Sequence, residues 1–194
     1  MTGWATSRRR WSRQPASAAR NNGAVLTIDR AIRDAIVEHA RRDHPDEACG
    51  VVAGLVGSDR PTRFVPMLNA AMSTTFYEFD STDLLRLYRE MDDNDEEPVV
   101  IYHSHTATEA YPSRTDISLA QEPGAHYVLV STRDGADVSA GGQPGDVEFR
   151  SFRIVDGQVT EEEVRVVERY DSESTLPQAP AVQGVPPESL RKAD

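Results

Sequence analysis

Short apolar runs, separated by polar, Gly- and Pro-containing breaks, alternate along this chain with two segments of helical periodicity. Residues 25–28, Val-Leu-Thr-Ile, read as a strand. Asp29 can cap the helix that follows, in which Ala31, Ile32, Ala35, Ile36 and Ala40 recur at helical spacing until Pro45 ends it. Residues 51–56 read as a buried strand and 63–67 as another, where Pro66 argues for an edge or a bulge. A polar loop over 69–75 leads to a strand at 76–79. Ser81 then caps a second helix with an apolar face of Leu84, Leu85, Leu87, Tyr88 and Met91. The acidic run 92–97 lacks the turn glycine and terminal glutamate of a calcium loop and reads as a solvated loop. Residues 99–102 form a short β-branched strand stopped upstream by Pro98. Pro112-Ser113-Arg114-Thr115-Asp116 opens a short helix with apolar Ile117, Leu119 and Ala120, ended by Pro123-Gly124. A strand at 126–131, a Gly-rich connection over 133–146, and two alternating strands at 147–155 and 159–167 joined by Asp156-Gly157 complete the pattern. Strands mixed with two long helices and one short one predict a single α/β domain.

Composition sets the limits of that domain. At 194 residues, 38% apolar and 27% charged, the chain can bury one core. The pattern predicts a basic disordered tail over 1–22, a folded domain over 23–170 and a disordered Pro/Ser-rich tail over 171–194. The first tail holds Arg8, Arg9, Arg10, Arg13 and Arg20 with no acid before Asp29, and no apolar segment of a secretory signal follows them. No apolar run of about 18 residues is present, so no membrane partner is expected. The net charge of −11 argues against a nucleic-acid partner. A single cysteine excludes an internal disulfide and suits a reducing cytoplasm. Oligomeric state stays open, with a homodimer among the candidates.

Candidate chemistry concentrates in 101–116, which carries His103, His105, Ser113 and Asp116 as His-x-His, seven residues, Ser-x-x-Asp. In a strand, residues i and i+2 share a face, so His103 and His105 emerge together, about 6–7 Å apart along the backbone. That suits two imidazoles converging on one ion. The following helix start can bring Asp116 back toward them. Two His and one carboxylate leave the fourth position of a zinc ion open, the mark of a catalytic site. A His-x-His pair alone is a weak signal, and Ser-x-x-Asp at a helix start is ordinarily a cap. The combined spacing is far more specific. His39, His44 and His126 read as structural, and Cys49 as a small buried residue. Glu47, at the mouth of the 51–56 strand, would by itself be an ordinary solvated acid.

His-x-His, seven residues, Ser-x-x-Asp with an upstream Glu resembles the signature of the JAMM (MPN-plus) zinc metallopeptidases. Pro45-Asp46-Glu47-Ala48-Cys49-Gly50 is similar to the stretch holding the catalytic Glu in bacterial members. The resemblance implies the MPN fold, a curved mixed sheet flanked by helices. It implies one catalytic Zn²⁺ on His103, His105 and Asp116, Glu47 as proton carrier and Ser113 as oxyanion donor. Residues 41–50, 102–116 and 125–133 further resemble a bacterial group that releases cysteine from a ubiquitin-like sulfur carrier protein ending in Gly-Gly. Glu109, Tyr111 and Arg114 sit between or beside the candidate ligands and are candidate contacts for the cysteine's charged groups, with ordinary loop surface as the alternative. A JAMM peptidase acting on another ubiquitin-like protein and a non-catalytic MPN scaffold remain alternatives; the complete residue set argues against the scaffold.

Overall fold

The computed structural model describes residues 25–133 and 147–170. The two tails and the greater part of the 133–146 connection lie outside the described residues. Seven strands form one mixed sheet: β1 (Val25–Asp29), β2 (Cys49–Leu55), β3 (Arg63–Met67), β4 (Glu96–His105), β5 (His126–Ser131), β6 (Glu148–Val155) and β7 (Gln158–Val167). Their spatial order is β1-β7-β6-β5-β4-β2-β3. β1 with β7 and β4 with β5 are parallel pairs, and the rest are antiparallel.

Helices cover both faces, which is why β2, β4 and β5 read as continuous apolar runs and are buried nearly throughout. On one face α1 (Arg30–Asp43) packs Ile36, Val37 and Ala40 against Leu26, Ile28, Val52, Val100, Tyr102, Val128 and Val130. On the other, α2 (Ser81–Asp93) sets Leu87 and Met91 against Cys49, Val51 and Ala53. Beside it, α3 (Arg114–Leu119) leans Ile117 on Ile101, Tyr127, Leu129 and Phe152. β6 and β7 are joined by Asp156 and Gly157, both at positive φ, the two-residue turn that suits a right-twisted hairpin.

Two local expectations hold: Asp29 caps α1, and Pro66 sits on the sheet's edge strand. Gly50 lets the Tyr102 ring and the Val65 carbonyl approach closer than any Cβ would allow. Others are corrected. Pro98 does not stop β4, which begins at Glu96; a register shift opposite Val52 and Ala53 leaves Pro98 beside a bulge, where its missing N–H is tolerated. The cap of α2 is Asp80 rather than Ser81, with Oδ1 accepting from the Thr82 and Asp83 N–H groups. The acidic run 92–97 is divided between the end of α2 and the start of β4, and Glu96 is ion-paired with Arg63 at 2.6 Å. Residues 76–79 form no strand. The Asn69 side chain takes over the hydrogen bonds a neighbouring strand would offer, and only Phe79 pairs, with Asn69 itself. Leu119 is 52% exposed, so the apolar packing here comes from Ile117 and Ala120.

Candidate metal centre

The parallel strands β4 and β5 end together, with His105 opposite Ser131, and the candidate residues gather at that end. His103 and His105 are still within β4, so the pleat puts both imidazoles on one face. Both are buried. Ser104 points to the opposite face, where its Oγ accepts from the Ala48 N–H at 2.8 Å while its own N–H donates to the Ala48 carbonyl. That pair of bonds pins the segment carrying Glu47 to the strand that carries both histidines.

Asp116 arrives from α3. Ser113 is the N-cap, and a reciprocal capping box closes the first turn. The Asp116 N–H donates to Ser113 Oγ at 3.2 Å, and the Ser113 N–H donates to Asp116 Oδ2 at 2.6 Å. The same Oδ2 lies 3.5 Å from His103 Nε2 and 3.4 Å from His105 Nε2, and the two Nε2 atoms are 3.2 Å apart. These distances test whether zinc fits. Ligands at about 2.0–2.1 Å on a tetrahedral ion are separated by roughly 3.3–3.4 Å. The three measured separations scatter closely around that value, so the set forms one face of a zinc-sized tetrahedron with its fourth corner left over. Among the described residues this is the one cluster of three or more His, Cys, Asp or Glu side chains with such convergence.

Electrostatics agree with a cation-binding site. Burial would raise the Asp116 carboxyl, but hydrogen bonds from His103 and His105 outweigh it and hold the group well below the usual carboxylate range. Burial lowers His103. His105 is also desolvated, yet its bonds to Asp116 and to the Glu109 carbonyl leave it above the ordinary value. His105 Nδ1 donates to that carbonyl at 2.9 Å, which turns the Nε2 lone pair toward Asp116 and His103.

Glu47 is only 5% exposed and stands outside the donor triangle. Its N–H donates to the Ser73 carbonyl and its own carbonyl accepts from Asn69 Nδ2, both at 2.9 Å. Burial pushes its carboxyl up to about 7, with His105 opposing and Asp116 reinforcing the rise. A buried carboxyl coupled electrostatically to His105 and Asp116 is suited to carrying a proton.

The remaining sequence candidates scatter. Glu109 contributes its backbone carbonyl, while its side chain is exposed. Tyr111 packs edge-on against Phe152 and lies beneath the Arg150 guanidinium. Arg114 lies about 200° around α3 from Asp116 at 100° per residue. It lines an open groove with Ile117, Pro123, Ile154 and Asp156, away from the histidines. Cys49 is buried with its thiol pushed up to about 12, chiefly by desolvation, which fits a packing role. Sequence reasoning missed Asn69, Ser104 and Tyr77, whose ring stacks on His103. Only the invariably turn-prone character of Asn69 carried any signal.

Comparison with known proteins decides the family. Residues 29–155 match the model for prokaryotic homologs of the JAB domain. The chain belongs to that family. It is 64% identical over 146 residues to a CysO-cysteine peptidase of Mycobacterium tuberculosis, covering 75% of this chain and 94% of that one. It is 34% identical over 134 residues to a desampylase of Haloferax volcanii, covering 66% of this chain and 94% of the relative. Among solved structures, protein DSY2949 of Desulfitobacterium hafniense shares the fold with a TM-score of 0.62 and 28% identity, over 75% of this chain and 94% of that one. The JAMM resemblance and the α/β MPN architecture read from the sequence therefore hold for this JAB-family chain.

Proposed function

We propose that this JAB-family chain is a zinc peptidase that hydrolyses the amide bond between the C-terminal glycine of a ubiquitin-like sulfur carrier protein and cysteine, releasing free cysteine. The observation that carries the chemistry is the donor triangle of His103 Nε2, His105 Nε2 and Asp116 Oδ2. The choice of substrate rests on the 64% identity to a CysO-cysteine peptidase.

His103, His105 and Asp116 would hold one zinc ion. Zinc bound there supplies Lewis acidity, which polarises an amide carbonyl and lets water lose a proton near neutral pH. Glu47, a buried carboxyl coupled electrostatically to His105 and Asp116, accepts that proton and returns it to the leaving nitrogen of cysteine. Ser113 Oγ accepts from the Asp116 N–H, so its hydroxyl proton is free to donate to the oxygen that gains charge as the amide carbon becomes tetrahedral. The reaction belongs in the cytoplasm, where a lone buried thiol such as Cys49 stays reduced.

A second reading, cleavage of a conjugate between a ubiquitin-like protein and another protein, is favoured by the desampylase likeness at 34% identity. Intact-mass spectrometry separates the two. A purified carrier–cysteine adduct incubated with the zinc-loaded protein should lose one cysteine, and chelator or Glu47→Gln should stop the loss. An unchanged adduct together with cleavage of a carrier–protein conjugate would install the second reading.

A further inference from the structure

The two histidines are supported differently. His105 is oriented by a hydrogen bond, its Nδ1 donating to the Glu109 carbonyl with the Thr108 hydroxyl 3.1 Å away. Among the described residues no protein group bonds to Nδ1 of His103, whose hydrogen-bond and ion-pair contacts all fall on Nε2. A metal-ligating imidazole almost always has its second nitrogen tethered, because the tether fixes the ring against rotation. For His103 the close support on the page is an aromatic ring.

The Tyr77 ring lies over His103, with centroids 4.6 Å apart and 26° between the planes. It is braced from behind by Phe79, edge-on at 5.4 Å. The segment has no strand partner that would hold it rigid. Asn69 does so instead, gripping the chain on both sides of Tyr77: Nδ2 donates to the Phe76 carbonyl at 3.1 Å, and Oδ1 accepts from the Glu78 N–H at 3.1 Å. The same Nδ2 donates to the Glu47 carbonyl at 2.9 Å. One buried amide therefore sets the place of both the proton carrier and the ring that flanks a ligand.

We propose that Tyr77 is a positioning residue for the metal centre, its ring stacking on His103 and holding that imidazole in the ligating orientation. The role resides in the flat face rather than the hydroxyl, which hydrogen-bonds to no described residue. This rests on the reading of His103, His105 and Asp116 as metal ligands.

The test is zinc affinity by competition with a chromophoric chelator, with the absorption of the Co²⁺-substituted protein as a second readout. Tyr77→Phe keeps the face and should stay within about threefold of wild type, with an unaltered cobalt spectrum. Tyr77→Leu removes the face and should weaken zinc by roughly 10–100-fold, the range for lost outer support of a ligand, and shift the cobalt bands. Tyr77→Met, flexible and of comparable bulk, carries the same expectation should the Leu variant not fold. Wild-type affinity and spectrum in the Leu or Met variant would overturn the proposal while leaving the metal reading intact. Equal losses in the Phe and Leu variants would overturn it in favour of the hydroxyl. A wild-type protein that takes up no divalent ion would overturn both readings.

Discussion

Ser113 and the two histidines meet at one carboxylate oxygen: Oδ2 of Asp116 accepts from the Ser113 N–H at 2.6 Å and also faces both histidine Nε2 atoms of the proposed metal site. The helix cap and the ligand geometry are thus one construction. The cap fixes the carboxylate's rotamer before any ion arrives, so little side-chain freedom is lost on binding. Two substitutions separate the parts. Asp116→Asn keeps an oxygen able to accept from Ser113 but removes the charge; Asp116→Ala removes both. Zinc affinity should fall by at least 100-fold in each, measured by chelator competition. Thermal unfolding of the metal-free proteins should show Asp116→Ala less stable than Asp116→Asn by about 1 kcal/mol, the worth of a cap. An Asn variant that binds zinc like wild type would remove Asp116 from the ligand set.

Glu47→Gln should retain zinc and lose turnover by about 10²–10⁴-fold, the usual contribution of a positioned proton carrier. The metal-free protein offers an independent check. The Glu47 carboxyl rises from 4.5 in the unfolded chain to about 7 in the fold. The folded state therefore binds the extra proton between those values, and stability falls as pH climbs from 4.5 through 7. Below 4.5 the Gln variant gains nothing. Above 7 it should be more stable than wild type, on the order of 3 kcal/mol for about 2.5 units at 1.36 kcal/mol per unit. Denaturant melts at pH 4 and pH 8 decide this; equal differences at the two pH values would mean the Glu47 carboxyl is not buried as described.

Asn69→Ala strips partners from two carbonyls, of Glu47 and Phe76, and from two N–H groups, of Ala71 and Glu78. Leaving buried polar groups unsatisfied costs about 1–3 kcal/mol each where water cannot replace the partner, so a loss of several kcal/mol is expected. Because Asn69 seats both Glu47 and Tyr77, turnover and zinc affinity should fall together. A variant that loses stability alone, with kcat and zinc affinity intact, would reduce Asn69 to a structural residue.

What was legible beforehand follows the range of each interaction. His103 and His105 could be paired from the sequence because a strand's period of two is local, and Ser113 with Asp116 because a capping box spans four residues. Glu47 entered through resemblance, since its link to the site is an electrostatic one, to His105 and Asp116, across distant segments of the chain. Tyr77 stayed hidden because its position depends on Asn69, whose side chain replaces a strand partner in a way no periodicity reports. The strand order was equally inaccessible. β1 closes the sheet by pairing in parallel with β7, Val25 opposite Glu163, a contact written nowhere near either segment.

His126 tests whether the two ends of β5 are independent. It read as structural from sequence, and the structure surrounds it with charge. Nδ1 faces Glu162 at 2.6 Å, Nε2 faces Asp59 at 3.0 Å, and Arg153 bonds Glu162 at 2.8 Å. Both the His126 and the Glu162 side chains are fully buried. The register of β5 against β4 places His126 opposite Val100, five residues before the Ser131–His105 pair, or about 16 Å at 3.3 Å per residue. His126→Leu should remove one hydrogen-bond partner of Glu162 while Arg153 and Ser151 keep theirs, and cost about 1–3 kcal/mol, the range for a buried group that loses a partner, read from denaturant midpoints. Zinc affinity should stay within about twofold of wild type, because no ligand or ligand support touches the cluster. A Leu variant that folds normally yet loses zinc would show instead that β5 transmits strain along its length to the metal end.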